Sequence, residues 1–109
     1  MTQNTYKDNY GVEFTADKKS LIYCPNTFDG NYVIPETVTR IEEFAFVGCT
    51  GLKSITIPES VREIGEGAFN GCDNLKEIVV PKGERLRFHN IFWMLGANDD
   101  DLSSLVVER

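Results

Sequence analysis

The stretch Ile57–Pro81, IPESVREIGEGAFNGCDNLKEIVVP, repeats the part of the chain that precedes it. When residues 58–80 are laid over residues 35–57, twelve of the 23 positions are identical. They include the proline that opens each unit, an alanine–phenylalanine pair, a glycine–cysteine pair and a leucine–lysine pair. A fixed period of about 20–50 residues is typical of a solenoid, in which each repeat buries its apolar face against its neighbours. The stretch therefore predicts two full coils over residues 35–80.

Each unit predicts the same three short segments. Before each proline, aliphatic residues at fixed spacing predict a strand, which the proline ends because it has no N–H to donate. A second extended stretch is predicted over 38–41 and 61–64, followed by a single helical turn that a glycine terminates. Phe46 and Phe69 are expected to stack in the core. The predicted structural core is Ile41, Phe46, Cys49, Leu52, Ile55, Ile64, Phe69, Cys72, Leu75 and Ile78.

Residues 1–34 have a different pattern. Apolar residues alternate with glycine or glutamate from Tyr10 to Phe14, the period of two that indicates a half-buried strand. Further strands are predicted over 21–23 and 32–34, with turns between them. We expect a strand meander that forms an N-terminal cap over the open end of the first coil.

Residues 81–109 break the period and predict a helix-bearing C-terminal cap. The apolar residues that recur at i, i+3, i+4 and i+7 on one face of this helix are Phe88, Ile91, Phe92 and Leu95. Gly96 is expected to stop the helix, and a polar loop and a last strand over 105–107 follow. Trp93 and Met94 lie off the apolar face, so they either wrap onto the edge of the core or form an exposed contact patch.

Composition sets the broad class of the protein. The 109 residues are 41% hydrophobic and 26% charged, which fits one soluble domain spanning residues 1–109. The net charge of −6 leaves no basic surface for phosphates, so we expect no nucleic acid partner. No run approaches the ~18 apolar residues of a membrane span, so we expect no membrane insertion. The first residues lack the layout of a signal peptide. The protein therefore either stays inside the cell or is a mature or engineered form whose signal has been removed.

The chain has three cysteines, Cys24, Cys49 and Cys72. An odd number without a close pair does not indicate a disulfide framework. Cys49 and Cys72 share a repeat position, so they are expected about 4.8 Å apart on successive coils. Side chains stacked in parallel give a poor S–S torsion, and we interpret the pair as a buried thiol ladder. A metal site would need more soft ligands, and the one histidine, His89, lies outside the repeats. We expect no metal or cofactor.

Motifs for catalysis are absent from the sequence. It contains no glycine-rich phosphate loop, no nucleophile elbow and no histidine-containing metal spacing. The acidic run over 99–101 lacks the alternating ligands and the following glycine of a calcium loop. Glu43 and Glu66 are expected to stack as exposed neighbours, with no desolvation to divide them into an acid and a base. We therefore expect no catalytic, cofactor-binding or metal-binding residues.

The outward side of the strands is the candidate partner surface. Its predicted members are Lys53, Ser54, Thr56, Lys76, Glu77 and Val79. Lys53 stacked over Lys76 is unfavourable unless the charges are screened or bound to something acidic. One interpretation is therefore a polar face that contacts a protein or a glycan. The other is that repeat duplication left these residues there and solvent screens them, because exposed pairs contribute less than about 1 kcal/mol.

The repeats resemble the BspA-like leucine-rich repeats of bacterial surface and secreted proteins. That pattern runs isoleucine–proline, then valine-x-x-isoleucine, then alanine–phenylalanine-x-glycine–cysteine, then leucine-x-x-isoleucine-x-isoleucine–proline. The chain carries it over residues 34–58 and 57–81, about half of its length. The two units differ at Phe44, where the second has Gly67, and the array is shorter than many in the family.

The resemblance implies a leucine-rich-repeat solenoid of short parallel strands, in the α/β class of these folds, and a non-catalytic binding module. Family members are associated with adhesion to host matrix proteins, host cells or other microbes, so it implies a protein or glycan ligand. It implies a cell-surface or secreted location if a signal has been removed, and a cytoplasmic one otherwise. The alternative is a purely structural spacer or orphan repeat fragment. The outward sheet is small beside a standard interface, so we expect a monomer or weak homo-oligomer.

Overall fold

The computed structural model describes residues 5–94 and 102–109. In chain order its elements are β1 (Thr5–Lys7), β2 (Glu13–Thr15), β3 (Ser20–Tyr23), β4 (Gly30–Val33), β5 (Arg40–Ile41), β6 (Leu52–Thr56), β7 (Glu63–Ile64), β8 (Glu77–Val80), α1 (Arg85–Met94), a 3-10 helix (Leu102–Leu105) and β9 (Val106–Glu108). Within these residues the strands form a first sheet, in the order β1-β2-β3-β5-β7, and a second sheet, in the order β4-β6-β8-β9.

Each 23-residue unit contributes one strand to each sheet. In the first sheet β5 and β7 are parallel, with Ile41 opposite Ile64. In the second sheet β6 and β8 are parallel, with Ile55 opposite Ile78. Residues one period apart therefore lie side by side, which confirms the predicted short parallel strands.

The N-terminal segment divides between the two sheets. Strands β1, β2 and β3 are antiparallel, but β3 then pairs in parallel with β5, and β4 pairs in parallel with β6. Leu21 lies opposite Ile41, and Tyr32 opposite Ile55, so this part of the chain already follows the path of a coil. The expected meander is therefore limited to β1, β2 and β3, because β4 lies in the second sheet. Tyr10 lies in a turn rather than a strand, where its amide donates to the Asp8 carboxylate at 2.9 Å.

Successive turns carry the chain from β5 to β6 and from β7 to β8. The amide of Ala45 donates to the carbonyl of Glu42 at 3.2 Å, and the second unit has the equivalent bond. Phe44 and Gly67 adopt φ values of 58° and 67°, in the left-handed region. These residues precede the predicted helical turns, and within the first of them the amides of Phe46 and Gly48 donate to carbonyls of the next repeat, at 2.7 and 2.8 Å, rather than within a helical turn. The predicted helical turns are therefore wrong.

Aromatic rings form the centre of the core. Phe46 and Phe69 stack with their centroids 5.0 Å apart and their planes at 15°, which confirms the expected stacking. Tyr32 continues the row at 6.4 Å from Phe46. The predicted core residues lie inside, with Cys72 half-buried: Ile41, Phe46, Cys49, Leu52, Ile55 and Ile78 at 0% exposed, Phe69 at 3%, and Ile64 and Leu75 at 8%.

The cysteine side chains gather at one corner of the core, and all three are free thiols. Sγ of Cys49 donates to the carbonyl of Cys24 at 3.5 Å, and Sγ of Cys72 donates to that of Phe46 at 3.1 Å, one coil back in each case. The thiols of Cys24 and Cys72 lie within hydrogen-bonding reach of Cys49, and this contact together with burial raises the pKa of both. Cys24 therefore lies beside the predicted ladder of Cys49 and Cys72, at the backbone position that Phe46 takes in the next unit.

Alkylation with iodoacetamide is expected to leave Cys24 and Cys49 unmodified in the native protein, whereas the half-buried Cys72 reacts slowly. The thiolate is the reactive form, so a raised pKa leaves less of it at any pH. Moving from about pH 7 to about pH 9 should therefore accelerate labelling of Cys72 far less than that of a free thiol. Peptide mass spectrometry of native and denatured samples measures this. Rapid native labelling of Cys49 would contradict the packing.

Helix α1 carries part of the predicted apolar face. Phe88 is fully buried and Ile91 is partly buried against the core. The helix contacts β7, β9 and the 3-10 helix. Strand β9 lies one residue later than the strand predicted over 105–107. The remaining C-terminal expectations fall on positions or side chains outside the described residues: His89, Phe92, Trp93, Met94, Leu95, Gly96 and the acidic loop over 98–101.

Arg87 occupies the place that the next coil would take. Between the repeats, the carbonyl of Val38 accepts the Ser60 hydroxyl at 2.8 Å. The matching carbonyl of Val61 accepts the guanidinium of Arg87, also at 2.8 Å, and the carbonyl of Glu59 accepts it at 3.0 Å. These backbone acceptors would cost free energy if they were covered without a donor. One side chain therefore supplies donors to two backbone carbonyls of the second repeat.

Strand β9 extends the second sheet beyond β8. The two are parallel, with Ile78 opposite Val106 and Val80 opposite Glu108. The Glu108 carboxylate accepts the amide of Arg85, the first residue of α1, at 3.1 Å. Unpaired N–H groups and the helix dipole favour an anion at this end of a helix. The side chain of Glu108 therefore links strand β9 to the first residue of helix α1.

Candidate interaction face

The outward side of the second sheet brings together all six residues of the predicted partner surface. Ser54 lies opposite Glu77, and Thr56 opposite Val79. The amide of Lys76 donates to the carbonyl of Lys53 at 2.8 Å, which places the two lysines side by side. The register of β4 against β6 shifts next to Lys53, which is exposed, whereas Ser54 and Thr56 are partly buried. We call this surface the second-sheet face.

The lysine end of the second-sheet face is only partly neutralised. Nζ of Lys53 lies 3.2 Å from Oδ1 of Asp29. Lys76 is exposed, and no acidic side chain in the described part of the chain pairs with it. Glu77 is held by two bonds from the Arg109 guanidinium, at 2.8 and 2.9 Å. The free charge at this end is therefore positive, although the whole chain is acidic.

An apolar groove lies further along the same strands. Its floor is a column of residues from neighbouring strands, in which Val33 is 66% exposed, Thr56 is intermediate and Val79 is 8% exposed. The three repeat prolines form one wall: Pro35, Pro58 and Pro81. Glu36 and Arg109 also line the groove, which has a volume of about 340 Å³. None of the described residues that line it is aromatic.

Sequence reasoning missed several residues of this face. Val33 precedes Thr56 by one period, so extending the repeat upstream of Pro35 could have found it. The prolines were interpreted as strand ends, but they also form a wall because they recur in register. Arg109 had no sequence signal, since its contact with Glu77 spans 32 residues.

Other parts of the described structure offer less to a ligand. A second depression of about 550 Å³ is lined by Gly83, Arg85, Leu86 and Glu108. The carboxylate of Glu108 already accepts the amide of Arg85. Among the described residues, no three histidine, cysteine, aspartate or glutamate side chains lie close enough to hold a metal ion. In the same residues, no helix has the length and apolar character needed to cross a membrane.

Comparison with known proteins gives two findings. A family model described as a BspA type leucine rich repeat region (6 copies) matches residues 21–95, beginning within β3. A crystal structure of a leucine-rich repeat protein from Eubacterium ventriosum is 20% identical in sequence, with a TM-score of 0.46. That match covers 73% of this chain and 34% of the other, so this chain spans about a third of the solved protein. No curated protein matches the chain.

Proposed function

Because the chain belongs to the BspA-type leucine-rich repeat family, we propose that it is a non-catalytic protein-binding module that uses the second-sheet face. The observation that supports this is the assembly of lysines, hydroxyl residues and an apolar groove on one surface. Binding sites commonly combine a mostly apolar concavity with a few polar groups that fix the orientation of the ligand. The second-sheet face has this composition.

The proposed architecture is a short solenoid of stacked coils with a cap at each end. Strands β1 and β2 would form the N-terminal cap, since they add an antiparallel hairpin to β3. Helix α1, Arg87 and β9 would form the C-terminal cap over the last coil. Such caps protect strand edges and apolar cross-sections that would otherwise recruit other chains.

Adhesion at a cell surface is the biological role we propose for this binding. The family is associated with bacterial surface and secreted proteins, and a signal removed from the chain would place it there. We expect weak affinity for a single copy. Four strands spaced about 4.8 Å apart make a face less than about 20 Å wide, which is narrow beside the about 800 Å² that each partner contributes to a standard interface.

Binding to a panel of immobilised matrix proteins and glycans tests the proposal. We expect retention on at least one protein, and the double variant Lys53→Glu/Lys76→Glu should weaken it about fivefold or more, because two exposed positive charges become negative. Surface plasmon resonance measures the change. The matched control is Lys7→Glu/Lys19→Glu, which makes the same charge change at exposed positions in β1 and just before β3 and should leave binding unchanged.

Two outcomes would contradict the proposal. If the panel retains nothing, the chain behaves as the structural spacer that is its alternative. If both double variants weaken binding equally, the partner responds to net charge rather than to the second-sheet face.

A further inference from the structure

Two features of the second-sheet face indicate the chemistry of its partner, given that the proposed function is correct. The first is the unshared positive charge of Lys76 beside Lys53. Adjacent like charges on neighbouring strands repel each other, and a carboxylate placed above them removes the repulsion. The positive charge of Lys53 and Lys76 therefore favours an acidic residue in the partner.

The second feature is the composition of the groove. Glycans bind proteins largely by stacking sugar rings on aromatic side chains, and the groove has aliphatic and proline walls without an aromatic residue. A column of valine and threonine beside prolines instead provides an apolar slot for a branched aliphatic side chain. The groove therefore favours a protein segment over a glycan.

The distance between these features fixes the spacing in the partner. Lys53 lies at the register shift in β6 and Lys76 immediately precedes β8, so neither follows the strict alternation of a strand. Each precedes its groove residue, Thr56 or Val79, by three residues, which is about 10 Å of extended chain. A polyproline-type segment has three residues per turn and rises about 3.1 Å per residue, so its positions i and i+3 point the same way about 9 Å apart. An ideal β-strand places i and i+3 on opposite sides and does not fit.

We propose that the second-sheet face binds an extended polyproline-type protein segment that carries an acidic residue and an aliphatic residue three positions apart. The acidic side chain contacts Lys53 and Lys76, and the aliphatic side chain enters the groove over the column of Val33, Thr56 and Val79, beside the prolines. Such a segment pays little ordering entropy on binding because its backbone is already extended.

The test uses synthetic nine-residue peptides and the full chain labelled with ¹⁵N. The probe peptide has aspartate and valine three positions apart in a proline–serine background. The comparison peptides place the two residues next to each other, replace aspartate with lysine, or replace valine with serine. We expect the probe to shift amide signals of β6 and β8, with a Kd on the order of 10⁻⁴–10⁻³ M, and each comparison peptide to bind at least about threefold more weakly.

Protein variants locate the contact. Lys76→Glu and Val33→Ser should each weaken the probe peptide about threefold or more, whereas Lys7→Glu, an equal charge change on β1, should not. Val33 is mostly exposed, so its variant should keep the fold, which thermal unfolding verifies.

Equal affinity for the probe and the adjacent-residue peptide would overturn the inference, as would shifts confined to the first sheet or no shifts. These outcomes overturn the inference about the peptide without overturning the proposed function. If the matrix panel shows Lys53/Lys76-dependent binding but the probe peptide does not bind, the face is a binding site for a different chemistry.

Discussion

Replacing Phe46 with alanine is expected to lower the free energy of unfolding by about 3–5 kcal/mol. The ring is fully buried, stacks on Phe69 at 5.0 Å and lies 6.4 Å from Tyr32, so truncation leaves a cavity between three coils. Domains of this size have free energies of unfolding of about 5–15 kcal/mol, so the variant would lose a large part of its stability. Urea unfolding followed by circular dichroism measures the change.

Phe44→Ala is the matched control for this prediction. It removes the same atoms, but from a ring that is 49% exposed. Alanine keeps a Cβ at the same positive φ, so the backbone conformation is no less favourable than before. We expect a loss of about 1 kcal/mol. Equal losses for the two variants would show that Phe46 is not the centre of a packed stack.

Gly65→Ala is the second large change, with an expected loss of about 3 kcal/mol or more. An added Cβ would lie 2.5 Å from the backbone nitrogen and 2.8 Å from Cα of Glu43 on the preceding coil. These are main-chain atoms, which cannot yield unless the two coils move apart. Thermal unfolding should show a fall in Tm of at least about 4 °C for each kcal/mol.

Gly83→Ala separates this steric effect from the ordinary cost of replacing a glycine. Gly83 has a φ of 90°, and an added Cβ there meets nothing within 4 Å. Its variant therefore bears only the conformational cost of a left-handed residue, about 1–2 kcal/mol. If Gly65→Ala loses no more stability than Gly83→Ala, the two coils do not approach as closely as described.

The repeat predicted most of the path of the chain because identical residues at equal spacing adopt the same structure. It could not predict where a coil is shortened. The backbone bonds of Leu21 and Cys24 match those of Ile41 and Phe46 on the next coil, with two fewer residues between them. The identity pattern is lost there. For this reason the sequence predicts a meander before Pro35, although β3 and β4 pair in parallel with strands of the next unit.

In the candidate site, too, the sequence predicts the residues that recur with the repeat and not the contacts that join distant positions. Thr56 and Val79 follow from the repeat, and the structure pairs them on neighbouring strands. Lys53 is exposed at a shift in the register of β4 against β6, which alternation alone does not predict. The ion pair of Arg109 with Glu77 had no local signal, because it joins positions 32 residues apart. The same holds for Arg87, whose acceptors are backbone carbonyls that no side-chain pattern reveals.

The closure by Arg87 and β9 makes the length of the array adjustable. Arg87 binds main-chain carbonyls and β9 adds through a backbone ladder, so these contacts use no side chain of the preceding repeat. The ion pair of Arg109 needs Glu77, which lies within the repeat. A tandem duplication of residues 58–80 would present the same acceptors one row further along, and the terminal segment could dock there unchanged. Each duplication would widen the second-sheet face by about 4.8 Å. Copy number could thus tune the reach of the module in evolution or design without a new terminus.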